Sequence, residues 1–196
     1  MCGIFGIISL KNSITFDQSI NVFESLAFLS ESRGKESAGI ALLSYDIGKI
    51  ATINGPVSIS KLLATGEYKS FKRENNSKIE GAKDYAIMGH SRLVTNGSQL
   101  QNYNNQPTIK DGLVGIHNGI IVNDVEVWSM NRNIQRKYDV DTELLLSMIS
   151  YYYKQDRDMI SAVRKTVDTV KGTISTAIMS NFSKSFLLFT NNGSIY

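Results

Sequence analysis

The chain carries one cysteine, and it stands at position 2, directly after Met1. Cysteine is small enough for an aminopeptidase to remove the initiator Met, which would make Cys2 the first residue. A free α-amine titrates at about 7.7–8.0, so it is a usable base near neutral pH. It would lie within reach of the thiol of its own residue, directly or through a water. A thiol placed this way can be activated without a histidine. The plain alternative is a small buried hydrophobe opening a strand, and Met-Cys taken alone favours that alternative because free cysteines are usually structural. A histidine base could come only from His90 or His117, the two in the chain. His117 directly precedes Asn118, so at most one of those two would face a site if the segment is extended. Two histidines without clustered Cys, Asp or Glu make no convincing metal site.

Short strands and a few helices must position these residues. Residues 3–9 form an Ile-rich apolar run of strand length. Thr15 and Gln18 are spaced as a capping box, and Phe16, Ile20, Phe23 and Ala27 then recur on one helical face to about Ser32. A second buried strand is expected at 38–45, and 66–84 reads as a polar surface excursion. Strands are expected at 85–90 and 112–117, separated by an Asn- and Gln-rich loop over 96–108. Asn118-Gly119 sits between apolar runs, the pattern of a tight hairpin turn. Asp141 reads as the N-cap of a helix with Leu145, Met148, Ile149 and Tyr152 inward. A further helix fits 157–171, with Ile160, Val163, Val167 and Val170 inward and Gly172 as its stop. Strands at 173–180 and 185–190 precede an Asn192-Gly193 turn. Strands in clusters with few helices describe an α+β domain, not an alternating parallel sheet.

The bulk properties fit that reading. A length of 196 residues allows one domain, 1–196, with a sizeable core. With 42% hydrophobic and 20% charged residues the composition is that of a soluble globular protein. The net charge of +3 comes from scattered basic residues, the densest being Lys69, Lys72, Arg73 and Arg132, Arg136, Lys137, which read as solvated surface and make no case for nucleic acid. One cysteine excludes an intrachain disulfide and fits a reducing cytoplasm. No apolar run approaches the roughly 20 residues that span a bilayer, and no positive segment precedes the first nine residues as a signal peptide requires.

Five stretches in order carry a resemblance. Met-Cys-Gly-Ile-Phe-Gly-Ile opens the chain, followed by Arg33-Gly34-Lys35-Glu36-Ser37-Ala38-Gly39, by His90-Ser91-Arg92-Leu93-Val94-Thr95-Asn96-Gly97, by His117-Asn118-Gly119-Ile120-Ile121-Val122-Asn123, and by Asp141-Thr142-Glu143. Each alone is weak, but together they resemble the class II glutamine amidotransferases, including the glutaminase domains of glucosamine-6-phosphate synthase and amidophosphoribosyltransferase, over residues 2 to about 190. The resemblance implies a four-layer αββα sandwich of antiparallel sheets, the N-terminal nucleophile hydrolase fold, shortened here at the C-terminus. It implies Cys2 as nucleophile, with the Asn118 side-chain amide and the Gly119 N–H as oxyanion hole. Arg92 would hold the glutamine α-carboxylate through its fork of donors, although alone it reads as a surface residue. Asp141 would take the α-ammonium, a role compatible with capping a helix. Thr95 and Gly97 would line the pocket, and the loop from Asn96 to about Pro107 would close over it. Arg33 would orient the N-terminus or serve a structural ion pair. Neither histidine would be the base; both read as satisfied core or near-site residues. No metal or organic cofactor is implied.

Three departures bear on this reading. Leu93 replaces a frequent aromatic, and Asn96 replaces a frequent His or Ala. Family domains continue past position 196, so the chain is either a fragment or a compact stand-alone form, and ammonia would pass to a partner synthase or a missing C-terminal domain. A retained Met1 would put the amine on the wrong residue. Besides glutamine hydrolysis, two alternatives stand: an N-terminal cysteine amidase for another γ-glutamyl or small amide, and a non-catalytic scaffold.

Overall fold

The apolar N-terminal run forms strand β1 (Gly3–Ser9). The capping box is made as expected: Thr15 Oγ1 accepts the Gln18 N–H at 3.2 Å, and Gln18 Oε1 accepts the Thr15 N–H at 3.0 Å. It starts helix α1 (Phe16–Ser30), which buries Phe16, Ile20, Phe23 and Ala27. Then come β2 (Ser37–Ser44), β3 (Lys49–Gly55), α2 (Ile59–Ala64), α3 (Gly66–Ile79) and β4 (Tyr85–Arg92). The second half is β5 (Thr108–Lys110), β6 (Leu113–Ile121), α4 (Asp124–Met130), α5 (Asp141–Asp156), α6 (Met159–Thr169), β7 (Gly172–Ser180) and β8 (Phe186–Thr190). These elements come from a computed structural model that describes residues 2–11, 13–46, 48–79, 84–93, 100–183 and 185–192.

The strands form two antiparallel sheets of four, ordered β1-β4-β2-β3 and β5-β6-β7-β8. Residues alternate faces along a strand, and in β2 both faces are covered. Ile40 and Leu42 pack with Phe23, Ile59 and Tyr68 of the helices on one side. Ala41 and Leu43 meet Val114, Ile116, Ala177 and Met179 of the second sheet on the other. Helix α5 covers the far face of the second sheet with Leu145 and Met148 near Ile121 and Ile174, and with Leu146 and Ile149 near Leu113 and Ile178. The result is the four-layer αββα arrangement of the expected α+β class.

Several local expectations need correction. Residues 66–79 of the supposed surface excursion form α3, which buries Tyr68 and Ile79 against the first sheet; its polar composition hides a two-residue apolar anchor. Residues 80–83 lie outside the described residues, as does Gly193 of the supposed final turn. Asn118-Gly119 is no turn: both lie inside β6, paired with Ser175 and Ile174 of β7. Val140 holds the N-cap position of α5, and Asp141 is its first helical residue. Asp158 caps α6 by accepting the N–H groups of Ile160 and Ser161, which rotates Ile160 to the surface at 63% exposure and turns Ala162 and Thr166 inward.

Two buried groups carry testable costs. Lys110 Nζ lies 3.0 Å from Glu143 Oε1 with both side chains almost fully buried, and the Glu143 carboxylate also accepts the N–H groups of Lys137 and Tyr138, each at 2.7 Å. Removing one partner of such a pair leaves an uncompensated buried charge. His90 is fully buried between the sheets and neither ring nitrogen makes a hydrogen bond, so of the two expectations for it, a satisfied core residue or a near-site one, the first does not hold. Burial, helped by the charge of Arg92 and by His117, pushes its imidazole down to about 3, although the nearby His117 main chain pulls the other way.

Glu143→Ala is expected to lower unfolding stability by about 3–5 kcal/mol, read from denaturant midpoints; a loss under about 1 kcal/mol would show that the pair is dispensable. For His90 the unfolded chain binds the extra proton below about 6.5 and the folded chain only near 3. Its contribution is therefore complete above the upper value and is lost as pH falls through that window, at about 1.4 kcal/mol per pH unit. A His90→Leu variant should have a flatter stability profile between those limits, and equal slopes for the two proteins would sink the assignment.

Candidate functional site

One end of the layer between the sheets gathers the chemistry. Gly3 pairs with Ser91 and Ile4 with His90, so Cys2 lies across from Arg92 where β1 begins and β4 ends. Ile4 points into the inter-sheet core, and two-residue alternation puts Cys2 on the same face. Cys2 is half-buried, and its Sγ donates to the Leu93 carbonyl at 3.5 Å. Burial pushes the thiol up; the charge of Arg92 opposes this, and that of Asp141 adds to it. Arg33 donates through Nε to the Cys2 carbonyl at 3.0 Å. Among the described residues no carboxylate forms an ion pair with Arg33.

Arg92 is no surface residue: it is 3% exposed. Burial lowers the pKa of its guanidinium, and the charges of Cys2, Asp141 and Glu36 oppose that shift. Its Nη1 donates to Asn105 Oδ1 at 3.1 Å.

Strand β6 supplies the opposite wall. In an antiparallel pair, alternate residues turn both main-chain polar groups to the same side. His117 and Ile121 turn theirs away from β7: the His117 N–H donates to Gln106 Oε1 at 2.6 Å and the Ile121 N–H to Asp141 Oδ2 at 3.2 Å. Gly119 lies between them with the same orientation. Its β7 neighbour Ile174 donates to Asn191 Oδ1 at 2.8 Å and accepts the Asn191 N–H at 3.1 Å, so it offers Gly119 nothing. Among the described residues the Gly119 N–H has no acceptor. Glycine is required here because a Cβ would stand 1.9 Å from the Thr173 carbonyl oxygen and 2.6 Å from His117 Nε2. Asn118 is half-buried and shares the inter-sheet face of Ile116 by alternation.

The His117 ring points the other way, towards α5. Its Nδ1 lies 3.4 Å from Asp141 Oδ1 and its Nε2 3.2 Å from the Thr173 carbonyl. Burial pushes the Asp141 carboxyl up. Contact with His117 and the N–H groups of Ile121 and Thr142 outweigh that effect and hold it below the usual carboxylate range. The site thus offers a thiol and a buried cation at one end of the inter-sheet layer, with the Asp141 carboxylate and the Gly119 N–H along the neighbouring edge of β6.

Thr95 and Gly97 lie outside the described residues, and so does the start of the expected closing loop. Its other end is no lid. Asn104, Asn105 and Gln106 are buried, with Asn104 Oδ1 accepting the Asp139 N–H at 3.1 Å and Asn54 Nδ2 donating to the Asn105 carbonyl at 3.2 Å. Sequence reasoning missed Asn105, Gln106, Thr142 and Thr173. The signal was a run of amides with no periodicity, which reads equally well as a polar loop. Among the described residues no group of three or more His, Cys, Asp and Glu could hold a metal, and no helix is long and apolar enough to cross a membrane.

No family model matches the chain. It is 28% identical over 182 residues to the glutamine–fructose-6-phosphate aminotransferase (isomerizing) of Caldanaerobacter subterraneus subsp. tengcongensis, covering 91% of this chain and 26% of the relative. It is 30% identical over 178 residues to that of Sulfolobus acidocaldarius, covering 88% and 27%. The chain therefore spans about a quarter of the length of the curated relatives it matches. Among solved structures, the glutamine phosphoribosylpyrophosphate amidotransferase of B. subtilis, complexed with ADP and GMP, superposes with a TM-score of 0.63 at 20% identity, covering 97% of this chain and 37% of that one. A structure of the allosteric regulatory enzyme of purine biosynthesis gives 0.63 at 21% identity, covering 92% and 36%. The chain is thus similar in sequence to part of the first group and in fold to the second.

Proposed function

We propose that residues 1–196 form one glutaminase domain that hydrolyses the side-chain amide of L-glutamine and hands the ammonia to an acceptor enzyme or a synthase domain of a longer protein. The geometry that supports the reading is Cys2 lying across from Arg92 at the end of the β1–β4 pair, with Asp141 bound to the Ile121 N–H on the β6 edge that also carries Gly119. A free amino acid carries a carboxylate and an ammonium on one carbon. Arg92 suits the first and Asp141 the second, a combination that selects a free amino acid over a peptide. Thr95 and Gly97 complete the pocket in this reading.

The chemistry follows from the groups at hand. Burial keeps the Cys2 thiol protonated at rest, so a base is needed. After loss of Met1, that base is the Cys2 α-amine, which Arg33 helps to place through the Cys2 carbonyl. The amine takes the thiol proton and Sγ bonds to the amide carbon. The carbonyl oxygen becomes an oxyanion held by the Gly119 N–H and the Asn118 carboxamide, where preorganised donors act most strongly. The C–N bond then breaks as the ammonium returns its proton to the departing nitrogen. A γ-glutamyl thioester remains, water attacks it with the amine again as base, and glutamate leaves. None of these steps uses an organic cofactor or a metal. A single cysteine fits work in a reducing cytoplasm.

Purified protein treated with 6-diazo-5-oxo-norleucine should lose the mass of Met1 and gain one adduct mapped to Cys2. A chain that keeps Met1 and takes no adduct would move the reading to a scaffold. Arg92→Lys replaces the fork with a point charge, so the KM for glutamine should rise about 10- to 100-fold, while alkylation of Cys2 by an uncharged reagent stays near the wild-type rate. An unchanged KM would remove Arg92 from the substrate site.

A further inference from the structure

We propose that Gln106 stands in for a missing strand and holds His117–Gly119 in place, which makes it a positioning residue for the Gly119 N–H. That this N–H serves a developing oxyanion rests on the glutaminase reading; that Gln106 sets its position does not.

Strand β5 is short. It pairs with β6 only as Thr108 with Gly115, Ile109 with Val114 and Lys110 with Leu113. Continuing this register by two residues puts Gln106 opposite His117. A hydrogen-bonded antiparallel pair exchanges two bonds there, one from each main chain. The Gln106 main chain cannot make them, because its carbonyl is turned towards β2. It occupies the space that a Cβ on Gly39 would need, 2.1 Å away. The side-chain carboxamide makes both bonds. Oε1 accepts the His117 N–H at 2.6 Å, and Nε2 donates to the His117 carbonyl at 3.1 Å. A primary amide has the same acceptor and donor as a peptide unit, so it can close the ladder where the chain has left it.

Nε2 also donates to Thr142 Oγ1 at 3.1 Å, in the first turn of α5. One buried amide therefore ties β6 to the helix that carries Asp141. Beyond His117 the free edge of β6 has one unengaged position, Gly119, before Ile121 is held by Asp141. The direction of the Gly119 N–H is thus set by anchors two residues to either side, and Gln106 is the anchor nearer the core. Donors aimed at a transition state lose their effect steeply when displaced.

The test uses the full chain with Gln106→Met, which keeps size and loses both bonds, and Gln106→Glu, which keeps the acceptor for the His117 N–H. Gln106→Met should lower kcat for glutamine hydrolysis about 10- to 100-fold with KM within about threefold of wild type. Iodoacetamide, which needs no oxyanion donor, should alkylate Cys2 at the wild-type rate. Gln106→Glu should fall between the two proteins, and it carries the test if the Met variant does not fold. Hydrogen exchange at the His117 amide should speed up at least about tenfold in the Met variant, or by a smaller factor in the Glu variant. A kcat within twofold of wild type in both variants overturns the inference. So does a loss in kcat joined by a raised KM and slowed alkylation, which would mark general collapse of the site. If the wild-type chain neither hydrolyses glutamine nor takes the diazo-ketone label, the glutaminase reading fails. Hydrogen exchange alone then decides on Gln106, with unchanged protection at His117 overturning its role.

Discussion

The free edge of β6 is the constraint around which the rest of the site is arranged. A buried strand edge must have its N–H and C=O groups satisfied one by one, and β5 covers only the first three residues of that edge. Past β5, side chains replace the missing strand: the Gln106 carboxamide at His117 and the Asp141 carboxylate at Ile121. Both come from other segments of the chain, so forming the edge brings the 104–107 segment, β6 and the start of α5 together. Between these two anchors lies Gly119, on the same edge of β6.

Electrostatics reinforces that arrangement. Arg92 and Asp141 are both substantially withdrawn from water, and neither could stay charged there without partners. Asn105 satisfies part of Arg92, while His117 and the Ile121 N–H satisfy part of Asp141. These partners offset the cost of burial, and groups of opposite sign lie near Cys2. The same helix end holds Glu143, which neutralises Lys110 from β5 and organises the 137–138 main chain. The Asp141-Thr142-Glu143 stretch thus makes three separate attachments in consecutive residues: to β6, to Gln106 and to Lys110.

The packing explains why small residues recur near the site. At Gly39 a Cβ would meet the Gln106 carbonyl, and at Gly119 it would meet the Thr173 carbonyl. In both places main chain from another element comes closer than any side chain permits. These contacts fix the distance from β2 to the amide segment and from β6 to β7.

Much of this was legible in the residues themselves. The capping box before α1, the apolar runs of β1, β2 and β4 and the α+β class follow from period and spacing, because local hydrogen bonds and face alternation are properties of short segments. The motifs also singled out Cys2, Arg92, Asn118, Gly119 and Asp141 as candidates, since a resemblance does not depend on distance in space. Other features were decided only by tertiary structure. Asn118-Gly119 has turn composition, yet pairing with β7 along its whole length overrides that local preference and keeps it in a strand. Residues 66–79 look largely polar, but Tyr68 and Ile79 find a buried seat on the first sheet and the segment becomes a helix. Asn104, Asn105 and Gln106 read as loop because amides serve water or protein equally well. Which of the two they serve depends on a partner more than ten residues away in each case, and no local pattern encodes that choice.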